Sequence, residues 1–492
     1  MKLSTQLFIT TLSKTTESIG IFVLSIILAR YFTKVEYGTY LHVQLIVNIA
    51  VWSFLLGIPH GVYYFLPKVM HQKKYLINTL LLTSAIGVIV SFLVYVLTPQ
   101  ISLILINEEL VTFGLVIALL VLFQIPITIF EPVMVSVGRV KEFSIIKALF
   151  SVIFFLSILI PVLNDASLML ILQSLAFSFL VQVSIVLYYS VLVAMQMKGV
   201  NTAGDECTLS EYANYCLPIG LSTGIGEMSS YADKLIVSNQ SSPEEYAVYA
   251  RGAMDLPIIS IIANTLDNLL MPRFVRAFNN NNLKEVMESW HTTIRLMASF
   301  IYPCCLFLVV VAPILIPALF SNKYAESVII FQVYTLGLLT RISTFSIIVR
   351  AIGKTKVILW VTLVTVIGNI ILTLIMMSWW GLIGAPIATV IVMTISRLIY
   401  VYSITQYLNI KINNVFPWLS LAHSLVASIV SVIPIIGLMN LGKNLNEWVL
   451  MGLAGILFTI CYVGITKVSS SLTLTDKSLV RSILPDRFKW VI

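Results

Sequence analysis

Basic side chains recur inside the long apolar stretches of this 492-residue chain. An ionised group at the centre of a bilayer costs at least about 2.5 kcal/mol, so such residues face a bundle interior or a water-filled cavity. Ammonium and guanidinium groups in a cavity are natural partners for phosphate, and arginine offers two parallel N–H donors. We predict that an anionic cargo binds at five of these residues, here called the cavity cations: Lys14, Lys147, Arg251, Arg341 and Arg397.

Acidic residues in the same stretches offer a purely structural alternative. Lys14 and Glu17 lie three residues apart, which fits mutual neutralisation on one helix face. Arg251 and Asp255, four residues apart, fit the same arrangement. The other three cavity cations have no such carboxylate on their own predicted helices, apart from Glu142 near a helix start.

The remaining charged candidates have secondary roles. Lys234 and Arg295 lie toward predicted helix ends, from where long side chains reach the polar interface, and we treat them as secondary cargo contacts. His60 stands in a Gly-Ile-Pro-His-Gly interruption of a helix and can titrate near neutral pH. We expect four residues to pair with the cations or to couple transport to an ion gradient: Glu17, His60, Asp233 and Asp255.

Sequence patterns for ATP hydrolysis or metal chemistry are absent. Gly353-Lys354-Thr355 ends like a Walker A motif, but Ile348 stands where the first glycine is required. The five cysteines form no CxxC pair and have no histidine partners at metal-ligand spacing. We therefore expect no catalytic residue, no metal and no cofactor, and transport that is either passive or coupled to an H⁺ or Na⁺ gradient.

Composition places these residues in a membrane protein without a soluble domain. Hydrophobic residues make up 59% of the chain and charged residues 11%, and the mean hydropathy is +0.97. A spanning helix needs roughly 20 apolar residues. We predict about fourteen transmembrane helices, at about 7–31, 40–66, 75–97, 111–135, 142–163, 168–196, 212–238, 246–276, 290–319, 326–350, 355–378, 381–408, 415–439 and 446–466.

The basic residues of the predicted loops indicate the orientation. With a cytoplasmic N-terminus, nineteen of them fall on the cytoplasmic side and four on the other side: Arg30, Lys34, Lys323 and Lys443. Basic residues collect in cytoplasmic loops. We predict that both termini face the cytoplasm. Because the basic residues of the cytoplasmic loops account for the formal charge of +8, we expect no nucleic-acid partner.

A short motif occurs twice. Glu36-Tyr37-Gly38-Thr39-Tyr40 and Glu245-Tyr246-Ala247-Val248-Tyr249 both read Glu-Tyr-x-x-Tyr, and each opens a long predicted helix. Six predicted helices separate the two copies, so both helices run in the same direction. This spacing predicts two lobes related by a parallel repeat, with an axis along the membrane normal.

Four stretches resemble the polysaccharide-exporter branch of the MOP superfamily, which also contains multidrug and toxin extruders. The resemblance lies in Leu28-Ala29-Arg30-Tyr31 with Glu36-Tyr37-Gly38-Thr39-Tyr40, in Tyr231-Ala232-Asp233-Lys234-Leu235-Ile236, in Glu245-Tyr246-Ala247-Val248-Tyr249 through Gly252-Ala253 and Pro257 to Leu270-Met271-Pro272, and in Gly381-Leu382-Ile383-Gly384-Ala385-Pro386-Ile387-Ala388-Thr389. Within that branch the chain resembles the Wzx-type O-antigen flippases.

The resemblance implies an all-α integral membrane fold with two six-helix lobes around a central cavity, two extra C-terminal helices and alternating access. We expect an N-lobe at 1–200, a C-lobe at 201–410, and helices 13 and 14 with a cytoplasmic tail at 411–492. The implied cargo is an undecaprenyl-diphosphate-linked oligosaccharide repeat unit, moved across the bacterial inner membrane for O-antigen and lipopolysaccharide biosynthesis. The expected partners are this glycan, the bilayer, and the polymerase and chain-length proteins of the same pathway.

Other functions remain open at this stage. A multidrug or toxin extruder of the same superfamily commonly carries cations and should have an acidic cavity, whereas basic residues slightly outnumber acidic ones here. Lipid II flippases and exporters of capsular or teichuronic glycans are closer alternatives that the sequence separates poorly. A membrane glycan polymerase or ligase is the alternative from another class, but it usually carries a sizeable external loop, which these short loops do not provide.

Overall fold

A computed structural model describes residues 3–69, 71–197, 209–254, 256, 259, 274, 277–278, 280, 282–343, 345–352, 354–442 and 444–469. Among these, it leaves undescribed the side chains of 3–14, 209, 350–351, 355 and 468–469. Every regular element in this part of the chain is a helix, mostly α with short 3₁₀ turns. The predicted all-α class is confirmed.

The chain forms two compact units, Met1–Ala247 and Val248–Ile492, here called unit 1 and unit 2. Within unit 1, α1 packs on α7, α4 on α5, α5 on α8, and α9 on α2 and α3. The described helices that begin in unit 1 are α1 (Leu3–Tyr31), α2 (Lys34–Phe54), α3 (Ile58–Phe65), α4 (Gln72–Ile104), α5 (Leu110–Ile127), α6 (Phe130–Ser136), α7 (Val140–Leu163), α8 (Leu168–Gln196), α9 (Leu209–Gln240) and α10 (Pro243–Gly252).

Unit 2 begins within α10. Its further described helices are α11 (Leu283–Phe320), α12 (Ser327–Leu338), α13 (Ser346–Ala351), α14 (Thr355–Trp380), α15 (Gly384–Leu408), α16 (Trp418–Leu441) and α17 (Glu447–Ser469). The helices α14 and α15 pack side by side, α12 packs on α11 and α15, and the C-terminal pair α16 and α17 packs on α11.

Many of these helices are long and apolar enough to cross a membrane. Eight described stretches meet this requirement, and the bent pair α2 and α3 raises the number to nine. One stretch, Lys356–Leu408, contains both α14 and α15, which pack against each other on either side of a turn at Gly381, where φ is +60°. Each predicted span coincides with a helix or a helix pair, except that most of 246–276 lies outside the described residues. The predicted multi-pass helical fold is confirmed.

The predicted interruption of the second span is present and has a packing reason. α2 ends at Phe54, α3 begins at Ile58, and the two are bent by 43°. Gly57 has φ +74°, and a Cβ added there would lie 2.3 Å from the carbonyl oxygen of Cys216 on α9. A Cβ added at Gly220 would lie 2.2 Å from the carbonyl carbon of Leu56. Only glycine at both positions lets the α9 backbone contact the bend.

The two copies of the Glu-Tyr-x-x-Tyr motif have the same local structure. Before α2, the Thr33 hydroxyl accepts the Glu36 N–H at 3.2 Å, and the Glu36 carboxylate accepts the Thr33 N–H at 3.0 Å. Before α10, Ser242 and Glu245 form the same pair at 3.3 and 2.9 Å. This capping box satisfies two N–H groups that a helix start leaves without partners. The shared geometry supports the predicted repeat, while the predicted lobe boundaries stay a prediction.

Candidate cargo and ion sites

Arg397, on α15, is held at the C-terminal end of α12. Its Nη1 donates to the carbonyl oxygen of Gly337 at 3.3 Å. The two helices approach closely there, because a Cβ added at Gly337 would lie 2.5 Å from Cγ2 of Val390 on α15. The same carbonyl oxygen also accepts the N–H and the hydroxyl of Thr340, and the partial negative charge at a helix C-terminus stabilises a cation there. This contact uses one of the five N–H donors of the guanidinium.

Arg341 lies three residues beyond the end of α12 and is half-buried. Arg397 contacts the carbonyl oxygen of Gly337, four residues before Arg341, so both arginines lie at the same end of α12. Within the described part of the chain, neither side chain forms an ion pair with a carboxylate. Arg341 and Arg397, here called the arginine pair, therefore present a concentration of positive charge that an anion can neutralise.

Two other predicted cargo contacts of unit 2 are engaged elsewhere. The guanidinium carbon of Arg251, a residue only 9% exposed, lies 5.4 Å from the ring centre of Phe320. Arg295 donates from Nη2 to the hydroxyl of Thr292 at 3.1 Å, one turn earlier on α11. Both arginines have further partners. Asp255, the predicted partner of Arg251, lies outside the described residues.

Unit 1 contains an ion pair between two predicted residues on different helices. Lys147 Nζ on α7 lies 2.8 Å from Glu17 Oε1 on α1, with both side chains about one-third exposed. Lys147 had no suitably spaced carboxylate on its own helix, and Glu17 was expected to pair with Lys14. Because α1 and α7 pack side by side, Lys147 finds its carboxylate on a neighbouring helix, and the predicted pairing of Glu17 with Lys14 stays a prediction. The side chain of Lys14 lies outside the described residues.

The other predicted residues of unit 1 occupy three different environments. The ammonium of Lys234 lies 5.6 Å from the ring centre of Tyr231, one turn earlier on α9. Asp233 is only 6% exposed and has interaction partners. His60 is exposed on α3, just beyond the bend. The structure therefore joins Glu17 to Lys147 and places Arg341 and Arg397 at the same helix end. The contacts described for Lys234 and His60 join neither residue to another predicted charge.

His42, which belongs to none of the predicted sites, is fully buried in a polar cluster. The Asn107 amide nitrogen lies 3.0 Å from both His42 Nδ1 and Thr39 Oγ1. The Asn107 amide oxygen accepts the Glu109 N–H, which turns the NH₂ group toward the imidazole. Nδ1 is then an acceptor, so the ring is neutral, and it stacks on Tyr246 at 4.5 Å. These contacts fit a structural role.

The repeat provides a sequence signal for His42. His42 lies six residues after Glu36, and Arg251 lies six residues after Glu245. Their exposed fractions are 0% and 9%. Each copy of the motif therefore carries a buried basic residue type at the same register, and aligning the two copies would have identified His42 beside Arg251.

One protein family matches more than half of the length of this chain. The family described as "Polysaccharide biosynthesis protein" matches residues 27–329. No curated protein sequence matches the chain.

Several solved structures share the fold at low sequence identity. Lipid II flippase MurJ, in an inward closed conformation, is 16% identical with a TM-score of 0.67, over 95% of this chain and 100% of MurJ. An inward-facing multidrug resistance MATE family transporter of the MOP superfamily is 14% identical with a TM-score of 0.60, over 80% of this chain and 94% of that transporter.

A third similar structure is a MOP superfamily transporter from Pyrococcus furiosus, in which the reverse polarity of the binding pocket suggests a different function. It is 14% identical with a TM-score of 0.58, over 82% of this chain and 96% of that protein. At such identities the likeness concerns the fold alone. The chain therefore belongs to the polysaccharide biosynthesis protein family, and it is a multi-pass membrane protein with the fold of MOP-superfamily transporters and flippases.

Proposed function

We propose that the protein is a flippase that moves undecaprenyl-diphosphate-linked oligosaccharide units across the bacterial inner membrane by alternating access. Membership of a polysaccharide biosynthesis family supports a glycan cargo. The fold shared with a lipid II flippase supports a cargo attached to lipid. The pathway is O-antigen assembly or the assembly of a related surface polysaccharide.

The arginine pair is the observation that carries this proposal. A diphosphate bears several negative charges on adjacent oxygens, and two guanidinium groups can each offer parallel N–H donors to it. Binding an anion between Arg341 and Arg397 would replace their mutual repulsion with attraction. An extruder of cationic drugs would be penalised by the same charges, so the pair favours an anionic cargo over that alternative.

The remaining predicted cations differ in whether they are free to contact the cargo. Lys147 is neutralised by Glu17, so its main role is to hold α1 against α7. Arg251, Lys234, Arg295 and Lys14 stay predicted contacts of the diphosphate or of acidic sugars. The source of free energy is an H⁺ or Na⁺ gradient, and Asp233 and Asp255 are candidate carboxylates for coupling to it.

The excess of basic residues in one set of loops supports an orientation with both termini in the cytoplasm. The cargo then enters from the leaflet where lipid-linked glycans are assembled. Polymerase and chain-length proteins of the same pathway act on it at the opposite face. Fusion of reporter enzymes to loops on either side would measure this orientation.

Deletion of the gene in a strain that makes a surface glycan tests the proposed function in cells. We expect surface glycan to be lost and single lipid-linked repeat units to accumulate on the cytoplasmic side. Arg341→Ala and Arg397→Ala should fail to restore the glycan at normal expression. Lys356→Ala is the control, because it removes an exposed cation at the start of α14.

Two other outcomes would contradict the proposal. Surface glycan that persists together with increased sensitivity to cationic drugs would indicate an extruder. Lipid-linked units that still cross the membrane but are no longer joined would indicate a polymerase or ligase.

A further inference from the structure

α9 is too polar to face lipid along its whole length. Its 32 residues span about 48 Å, which exceeds the roughly 30 Å of bilayer hydrocarbon. It is not among the described helices that are apolar enough to cross a membrane unaided. A long polar helix within a multi-pass bundle is stable when protein or a water-filled space surrounds its polar side.

Glu227 lies near the middle of α9. Its side chain is half-buried. It forms no hydrogen bond and no ion pair with any residue in the described part of the chain. An ionisable group within a membrane-embedded helix is by default a candidate functional site, because an ionised carboxylate without a counter-charge is costly there.

The face of α9 that carries Glu227 is defined by two glycines. Gly220, Gly224 and Glu227 follow one another at spacings of four and three residues, which places them on one side of the helix. Gly220 contacts Leu56 and Gly57, and a Cβ added at Gly224 would lie 3.8 Å from the carbonyl oxygen of Trp52. Residue numbers rise along α9 as they fall along α2, so Glu227 lies one turn further, beside the middle of α2.

The described helices that pack on α9, α2 and α3, offer no charge to Glu227 at this level. Between Val43 and Pro59, neither α2 nor the bend after it contains a titratable residue. The titratable groups of α2 and α3 lie toward the two ends of this interface: Lys34, Glu36, Tyr37, Tyr40, His42, His60, Tyr63 and Tyr64. On α9 itself the nearest titratable groups follow Glu227: Tyr231, Asp233 and Lys234.

Those neighbouring groups have other contacts. Lys234 stands over Tyr231, and Asp233 is buried with partners. Glu17, the other described carboxylate considered for coupling, is bound to Lys147 at 2.8 Å. Glu227 differs from both carboxylates in having no described partner to hold it ionised.

We propose that Glu227 is a proton-binding carboxylate that couples conformational change to the proton gradient, an inference that rests on the proposed transport function. When water reaches the site from the acidic side, a carboxylate oxygen accepts a proton from hydronium and an O–H bond forms. The neutral acid tolerates the occluded state, in which no counter-charge is present. When the site opens to the other side, the O–H bond breaks and the proton returns to water.

Infrared difference spectroscopy of the full-length protein in lipid nanodiscs tests the proton site without any cargo. On acidification, we expect a carboxyl C=O band from a sheltered side chain to appear in the wild type and in Glu326→Gln. Glu326 is an exposed glutamate before α12 and serves as the matched control. The band should be missing in Glu227→Gln and should return, shifted, in Glu227→Asp. Retention of the full band in Glu227→Gln would overturn the proposal.

Flipping of lipid-linked oligosaccharide in proteoliposomes at several pH values separates this proposal from the proposed function. A single proton site allows up to a tenfold change in protonated population per pH unit. We expect a pH-dependent rate in the wild type and a nearly constant rate in Glu227→Gln. A wild type that flips the glycan at a pH-independent rate refutes the coupling but not the flippase. A wild type that flips no glycan while its Glu227 band still titrates refutes the flippase but not the proton site.

Discussion

Lys147 and Glu17 form an ion pair at 2.8 Å that joins α7 to α1. Both side chains come from stretches that the sequence places in the membrane, and each neutralises the other. Lys147 is therefore a weaker contact for an anionic cargo than its residue type suggests. The arginine pair of unit 2, by contrast, has no carboxylate partner among the described residues.

Exchanging the two charges should preserve the Lys147–Glu17 contact. We expect Lys147→Glu and Glu17→Lys each to lower the thermal midpoint of the purified protein, because each places two like charges together. The double exchange should recover most of the loss. For a partly exposed pair we expect a coupling of about 1 kcal/mol. If the two single losses simply add in the double mutant, the side chains do not interact directly, and the pair would be contradicted.

Arg397→Ala should weaken binding of a prenyl diphosphate more than Arg397→Lys does. Losing a hydrogen bond to a charged group costs about 1.5–3 kcal/mol, which corresponds to about 10- to 150-fold in affinity. Lysine keeps the charge but loses the parallel N–H donors. Binding of farnesyl diphosphate to the detergent-solubilised protein measures this difference, with Lys356→Ala as the control. Equal affinities for all variants would remove Arg397 from the cargo site.

Gly220→Ala should destabilise the protein strongly, while Gly226→Ala on the same helix should not. A Cβ at Gly220 would overlap the backbone of Leu56, which cannot move without displacing the bend between α2 and α3. Nothing lies within 4 Å of a Cβ at Gly226, and alanine is a better helix former there. Thermal unfolding followed by size-exclusion chromatography compares the two. Equal midpoints would show that the close contact of α9 with the bend is not maintained.

The two capping boxes should contribute equally to stability. Thr33→Ala and Ser242→Ala each remove the hydroxyl that accepts the N–H of a glutamate three residues later. We expect each to cost about 1 kcal/mol. Ser378→Ala is a suitable control, because its hydroxyl bonds only within the exposed end of its own helix. A loss at one box with none at the other would argue against equivalent helix starts in the repeat.

Local features of this fold could be predicted from the sequence because neighbouring residues determine them. Long apolar stretches indicate the helices, Gly57 and Pro59 mark the bend, and the recurring Glu-Tyr motif marks two helix starts. The hydroxyl residue three positions before each glutamate even specifies the capping box. In each case the interacting groups lie within a few residues of one another.

The charge partners could not be predicted, because they are chosen by helix packing. Glu17 pairs with Lys147, which lies far along the chain on a helix that packs against α1. Arg341 and Arg397 lie at the same helix end because α12 ends beside α15. The spacing of residues along the sequence does not reveal which helices pack together. The environment of Glu227 could not be predicted for the same reason. Only the structure shows that α2 packs on α9 and brings no charged side chain to this level.

Flipping by the purified protein tests the central claim most directly. Proteoliposomes would contain an undecaprenyl-diphosphate-linked oligosaccharide, and the glycan exposed to an added lectin or glycosidase would be measured over time. We predict protein-dependent crossing that is lost with Arg341→Ala and Arg397→Ala and retained with Lys356→Ala. A crossing rate no greater than that of protein-free liposomes, with uptake of a cationic dye instead, would contradict the account.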